Sequence, residues 1–447
     1  TKEKPFIIYD GFDMMEIHSF VVNGVDFKGK YFKIADSVQT IDLTVEGLDY
    51  EPIGDTQNNF NGNFDGNKKR IYIQLSDEKG EYLGVFHTLG MYAYVHDLTI
   101  MGKIEGLGYF GALAGRNFGI LERIENLASI ESNAYEGQGG NSIGGITGVN
   151  QGTIKQSVNK GSIKADGSFV GGIAGENIGT IQDTYNHAYI VASHIVGGIA
   201  GTNRGDIIQT YNKGEVKALV SSAGGIVGEN LSYVKEAFNY GTITSMNDIA
   251  GGISGLQVEQ NAIIESVYNT GLITAMETIA GGLVGKLDRG KLFDGYSASQ
   301  VYAKGNVGML VGQSLWGSID RAYYDKSLLS QMTKQNTLSI PTKAVGDHDF
   351  VDNDYVKGLY HGHMVGLNAL GNLPTQLNLH TQSRFTTQSS FEKYAYYPQL
   401  TFFKSHTNEE VRKDSLDSVK TKTFMIGEGS KENPYIIFDE SDMVLLS

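Results

Sequence analysis

The sequence predicts an all-β chain: a parallel β-helix, or solenoid, of coils about 27 residues long with three strands each and mixed terminal caps. Three observations predict it. A Gly-x-[Ile/Leu]-x-Gly core recurs, with copies beginning at Gly111, Gly144, Gly171, Gly197, Gly224, Gly251, Gly281 and Gly308, in steps of 33, 27, 26, 27, 27, 30 and 27 residues. About 15 residues after the first Gly of most copies comes an aromatic or Val followed by Asn, as in Tyr185-Asn186 and Tyr211-Asn212. A short Ile/Val run follows it, centred on Ile163, Ile190, Val216, Ile243 and Ile273.

A fixed period of this size marks a solenoid, a propeller or an array. Apolar residues alternate with polar ones between Gly and Asn, which means strands rather than helices. Three strands in about 27 residues suit one β-helix coil; a propeller blade needs four strands and about 40 residues. Each strand would then pair with its equivalent one coil on, about 4.8 Å away. Gly144, Ile146 and Gly148 form one such core, as do Gly171, Ile173 and Gly175, then Gly197, Ile199 and Gly201, then Gly224, Ile226 and Gly228. Their Ile residues are expected to fill the interior, and their Gly residues to supply turn dihedrals and close approach. Asn159, Asn186, Asn212, Asn239 and Asn269 are expected to form an amide ladder, with Tyr185, Tyr211, Phe238, Tyr268 and Tyr296 as an aromatic column beside it.

The repeated core resembles the GLUG motif of large bacterial secreted and cell-surface proteins, including the non-catalytic region of immunoglobulin-A-specific zinc metallopeptidases. The motif covers about residues 105–325. The resemblance implies a parallel β-helix on a bacterial surface protein, placed outside the cell at the surface or wall; it implies no reaction. Phe60-Asn61-Gly62-Asn63-Phe64-Asp65-Gly66-Asn67 resembles an element that precedes such arrays, and Tyr394-Ala395-Tyr396-Tyr397-Pro398-Gln399-Leu400 resembles the aromatic-Pro-x-Leu closing strand of such modules.

The chain divides accordingly. Residues 1–104 are read as an N-terminal cap and first coils, with Asp10 to His18 as a short helix capped by Asp10 or Asp13. Residues 105–325 are the array, and 326–425 a C-terminal cap region. Residues 426–447 are the start of a next module or a linker, because Pro434-Tyr435-Ile436-Ile437-Phe438-Asp439 repeats Pro5-Phe6-Ile7-Ile8-Tyr9-Asp10. The chain is therefore expected to be cut from a tandem-module protein, with head-to-tail self-association as the competing reading. Thr1 opens it with no signal-peptide pattern, which points to a mature or excised piece.

Composition narrows the function. A net charge of −14 argues against nucleic acid and anionic membrane surfaces as partners. No run of 18 apolar residues exists, so no membrane-inserted helix is expected. The absence of Cys removes disulfides, thiolate zinc and a Cys nucleophile. There is no His-Glu-x-x-His, so a metallopeptidase centre is not expected here. Gly140-Asn141-Ser142-Ile143-Gly144 matches a nucleophile elbow in letters, but lacks the strand before and helix after. Gly285-Lys286 is followed by Leu287 where a P-loop needs Ser or Thr.

Asp347, Asp349, Asp352 and Asp354 are the candidate metal ligands, hard oxygen donors at short spacing suited to Ca²⁺. A solvated acidic loop competes with that reading, and no other cofactor is expected. His361 and His363 are a second metal candidate without a third ligand. No catalytic residues are assigned. The expected partner is a host or neighbouring-cell surface protein or glycan, met by a rigid adhesive or spacer stalk. The alternatives are the accessory substrate-binding region of a secreted metallopeptidase and a carbohydrate-active β-helix enzyme.

Overall fold

The computed structural model describes residues 1–77, 82–132, 142–326, 328, 343–345, 353, 356–359, 364, 377, 384–386 and 397–404. It is a parallel β-solenoid of roughly 27 residues per turn. One coil shows the plan. Phe169–Gly171 lies on one face and Ala174–Asn177 on a second. A third, longer face carries Thr180–Gln182, Tyr185–Asn186 and Ile190–Ala192. The coil thus holds five short runs in three sheets, where the sequence pattern suggested three runs. In this coil the long face is interrupted twice, whereas Tyr233–Asn239 and Ile263–Asn269 run unbroken through the first of these bends.

Register follows from identity. One coil on, Gly171 meets Gly197, Ala174 meets Ala200, Ile181 meets Ile207 and Tyr185 meets Tyr211. The Ile173 amide donates to the Ile199 carbonyl at 2.9 Å, and the Ile199 amide to the Ile226 carbonyl at 2.9 Å. Ile146, Ile173, Ile199 and Ile226 are fully buried and belong to one continuous core with Ile181, Ile190 and their equivalents. Burying each such side chain contributes roughly 2 kcal/mol.

The repeat glycines serve one of the two purposes expected of them. Among the described residues, positive φ at glycine occurs at Gly24, Gly29, Gly47, Gly54, Gly102, Gly108 and Gly290, and at none of the repeat glycines. Their role is close approach. A Cβ on Gly198 would overlap the Gly225 carbonyl oxygen and lie 2.6 Å from Asn212 Cγ. One on Gly175 would strike Ile143 and lie 2.6 Å from the Ser142 carbonyl carbon, so the first two faces press together there.

Parallel pairing begins with Phe6–Ile8 against Tyr31–Ile34 and reaches Val356–Leu359 against Ser318–Asp325. Between those first two strands lies helix α1, Gly11–Val22. Asp10 caps it, accepting from Phe12 N at 2.9 Å and Asp13 N at 3.1 Å. The helix runs four residues past the expected His18 because Val21 is buried with Met14 and Ile17 in the same core. Phe60 and Phe64 are buried against Phe86, with ring centroids 5.2 and 5.7 Å away.

Candidate functional site

The outward side of the long face carries the chemistry. Nine successive coils bend there at a residue in the left-handed region: Asp97, Arg123, Gln156, Asp183, Gln209, Glu236, Ser266, Asp294 and Arg321, with φ from 48° to 57°. None is Gly and none is β-branched, the class for which this region is most strained. The bend turns these side chains into a polar ladder. Arg123 grips Asp97 through Nε at 2.7 Å and Nη2 at 2.8 Å. Gln209 Nε2 donates to Glu236 Oε2 at 2.8 Å, and Arg321 Nε to Asp294 Oδ1 at 2.5 Å.

At the N-terminal end this ladder borders a cleft of about 370 Å³ lined by Lys2, Tyr31, Asp65, Tyr94, His96 and Arg123 among others. Asp65, His96 and Asp97 place one ligand atom each within 4.8 Å of one another. His96 Nδ1 lies 2.7 Å from Asp97 Oδ2 and 3.8 Å from Asp65 Oδ1. The Arg123 guanidinium, and then His96, hold the Asp97 carboxyl down at about 2 against the cost of its partial burial. Both Asp97 oxygens already serve Arg123, so a metal ion would have to displace a bidentate guanidinium. Arg123 also pairs with Glu122, which takes a hydrogen bond from Tyr94 Oη at 2.6 Å and an ion pair from Lys155 at 3.0 Å. The arrangement is a neutralised ion-pair cluster with a polar, partly open mouth.

Two buried amide ladders run along the rod. The expected one starts a coil earlier, at Asn126, and continues through Asn159, Asn186, Asn212 and Asn239 to Asn269 with amide contacts of 2.8 to 2.9 Å. Asn269 ends it by donating to the Gly282 carbonyl at 2.8 Å, because Ser297 occupies the next rung. The second ladder adds to the expected one: Asn117, Asn150, Asn177, Asn203, Asn230 and Gln257, linked at 2.8 to 3.1 Å. Its signal was present, since each of these Asn residues follows the last Gly of a repeat core by two positions.

The aromatic column stacks as a pile of near-parallel rings. Tyr211 to Phe238, Phe238 to Tyr268 and Tyr268 to Tyr296 have centroid distances of 5.0, 4.8 and 5.1 Å and interplanar angles of 3°, 9° and 1°. It lies outside the main core and is covered by the C-terminal segment. Phe403 sits edge-on to Phe238 at 4.7 Å, and Tyr296 Oη donates to the Pro398 carbonyl at 2.5 Å. Tyr397 Oη donates to Asp325 at 3.0 Å, while Arg384 pairs with Glu236 and Glu265.

Of the other candidates, Ser142 is buried in strand Ser142–Gly144, which pairs on both sides with neighbouring coils. Lys286 lies in strand Val284–Leu287 and pairs with Asp288 at 3.2 Å, with no loop to cradle a phosphate. The acidic cluster Asp347, Asp349, Asp352 and Asp354 lies outside the described residues, as do His361, His363 and the repeated segment from Ser430. Among the described residues no helix is long and apolar enough to cross a membrane.

No protein-family model matches the chain. A stretch of 135 residues, 28% of this chain, is 33% identical to a protein of Evansella cellulosilytica named "Putative Gly-rich membrane protein". The match spans 14% of that protein, so this chain corresponds to a small part of its relative. The solved structure described as "a putative immunoglobulin A1 protease from Bacteroides ovatus" aligns over 90% of this chain and 94% of its own, at 16% identity and a TM-score of 0.34. A superposition that loose carries no functional argument. This chain, a parallel β-solenoid, is therefore similar over a part of its length to a bacterial protein named as a Gly-rich membrane protein.

Proposed function

We propose that the chain is a stalk module of an extracellular bacterial surface protein, a stiff spacer that presents an adhesive face to a host or neighbouring-cell protein or glycan. The observation that carries this reading is the uninterrupted bonding between coils. Three backbone sheets and two amide ladders join successive coils, so bending the rod must break several bonds together. The GLUG-like core and the partial likeness to a membrane protein support a surface location.

A glycan partner has one further support. Trp316, the chain's only Trp, is 75% exposed, with the Arg289 guanidinium 5.9 Å from its ring. Gln260 and Lys291 help line the hollow beside them, about 420 Å³ in volume. An exposed ring flanked by long polar side chains suits stacking on a pyranose.

The test is antibody labelling of the array on intact and permeabilised cells, with deletion of several coils. Labelling without permeabilisation, and a tip domain brought closer to the wall by the deletion, are expected. Labelling only after permeabilisation would contradict the reading.

A further inference from the structure

The chain carries a net charge of −14, yet one corner of the array is basic. Three successive coils place Lys160, His187 and Lys213 in one column, each donating its amide to the carbonyl of a ladder Asn one coil back. Four residues on, Lys164, Val191 and Lys217 form a second column in direct register. Between the two runs a third, Ser162, Tyr189 and Glu215, whose carbonyls accept from Ile130, Ile163 and Ile190 in turn. Tyr189, at the centre of this grid, is 44% exposed. Lys160 and Lys164 are exposed, and Lys213 and Lys217 half-buried.

Four Lys therefore flank one exposed Tyr, and Glu215 is the single acidic residue in the three columns. The acids around them are engaged elsewhere. Glu131, one coil before Lys164, pairs with Lys103 at 2.9 Å, and Asp166 accepts from Ser193 Oγ at 2.9 Å. Glu125 pairs with Lys160 at 2.8 Å, an exposed contact that a bound anion replaces at little cost. Lys164 and Lys217 make no ion pair among the described residues. At physiological salt charges are screened beyond about 8 Å, so a ligand here meets these Lys rather than the charge of the whole chain.

We infer that this corner binds an acidic polysaccharide laid along the rod, its carboxylates paired with the Lys columns and one sugar ring stacked on Tyr189. The spacing selects the polymer. Two coils separate Lys164 from Lys217, and Lys160 from Lys213, which at about 4.8 Å a coil is roughly 10 Å. Two pyranose rings of an extended chain cover much the same length, so a uronate on every second sugar meets a Lys each time. The site is distinct from the hollow beside Trp316, which lies on the corner after strand Val311–Ser314. The inference deepens the stalk reading by naming the chemistry of one adhesive face, and rests on it only for the place where such a glycan is met.

The test uses the full chain with hyaluronan oligosaccharides, which carry a uronate on alternate sugars, and dextran as the uncharged control. Titration calorimetry is expected to show hyaluronan binding that weakens as salt rises, and no dextran binding. Lys164→Ala with Lys217→Ala is expected to weaken hyaluronan binding at least about tenfold. Tyr189→Ser is expected to weaken it severalfold, while Trp316→Ala leaves it unchanged. Unaltered thermal unfolding of the variants shows that their fold is intact. No hyaluronan binding, equal binding of dextran, or an affinity indifferent to the double Lys variant or to Tyr189→Ser would overturn the inference. Surface labelling of cells is read separately, so either proposal can fail without the other.

Discussion

The Nδ2 of Asn186 donates to the Oδ1 of Asn212 at 2.8 Å, one coil away, and Asn212 passes the same bond to Asn239 at 2.8 Å. Each amide also closes a turn: Asn212 donates to the Gly214 carbonyl at 2.8 Å and accepts from the Gly214 amide at 3.2 Å. All of this occurs at zero exposure, where an unpaired polar group is most destabilising.

Asn212→Leu is therefore expected to destabilise the array by about 2–4 kcal/mol, because it strands polar groups of Asn186, Asn239 and Gly214 together. Denaturant unfolding followed by circular dichroism measures it. Asn212→Asp is expected to be no milder at neutral pH, since its carboxylate would face the Asn239 and Gly214 oxygens.

The opposite effect is expected one residue from the aromatic column. The hydroxyls of Thr184 and Thr210 are buried without a hydrogen-bond partner among the described residues. Thr210 precedes Tyr211 as Ala237 precedes Phe238 and Val267 precedes Tyr268, in one register. Thr210→Val removes a stranded hydroxyl and puts in place a residue the rod already accepts there. It is expected to stabilise by about 1 kcal/mol, read as a higher unfolding midpoint.

The left-handed bend gives a paired comparison at Gln209, where φ is 57°. Gln209→Gly removes the backbone strain and adds unfolded-chain entropy, and the two nearly cancel. Gln209→Ile keeps the bulk but crowds the bend, at about 1–2 kcal/mol. Calorimetric midpoints are expected in the order Gly above Ile, which is the reverse of strand propensity.

The Asp97 carboxyl is held at about 2 by Arg123 first and His96 second. An unfolded chain titrates Asp near 3.9, so it takes up this proton before the folded protein does. The stabilisation is whole above about pH 4 and is lost as pH falls towards about 2. Asp97→Asn is expected to lower stability at pH 7 and to flatten the fall between pH 4 and pH 2. Urea midpoints of both proteins across that range decide it; parallel curves would contradict the assignment.

The parts of the fold legible in the sequence were those written once per coil. Ile173, Ile199 and Ile226 announce their column because a solenoid repeats one environment along its length, and Asn186, Asn212 and Asn239 do the same for the amide ladder. The bend at Asp183 and Gln209 was hidden because its rule is negative: it excludes β-branched residues and favours no single one. Asn177 and Asn203 stand in plain register, but a spacing alone does not say whether an amide faces inward. The cleft at Asp65, His96 and Arg123 had no legible signal. Its members come from three coils, and Asp65 taken within its own Phe-Asp-Gly-Asn element is a lone charge. Packing of Phe403 against Phe238, from the far end of the chain, is likewise a tertiary event that no local pattern encodes.

The central claim is that equivalent residues of successive coils lie directly over one another. Lys164 and Lys217 face outward on the same register, two coils apart, through Val191. Because the chain has no Cys, spin labels at Lys164→Cys and Lys217→Cys report one distance. Two steps of about 4.8 Å predict backbones roughly 10 Å apart and strong dipolar broadening of the spectrum. A doubly labelled spectrum equal to the sum of the two single-label spectra would contradict the account.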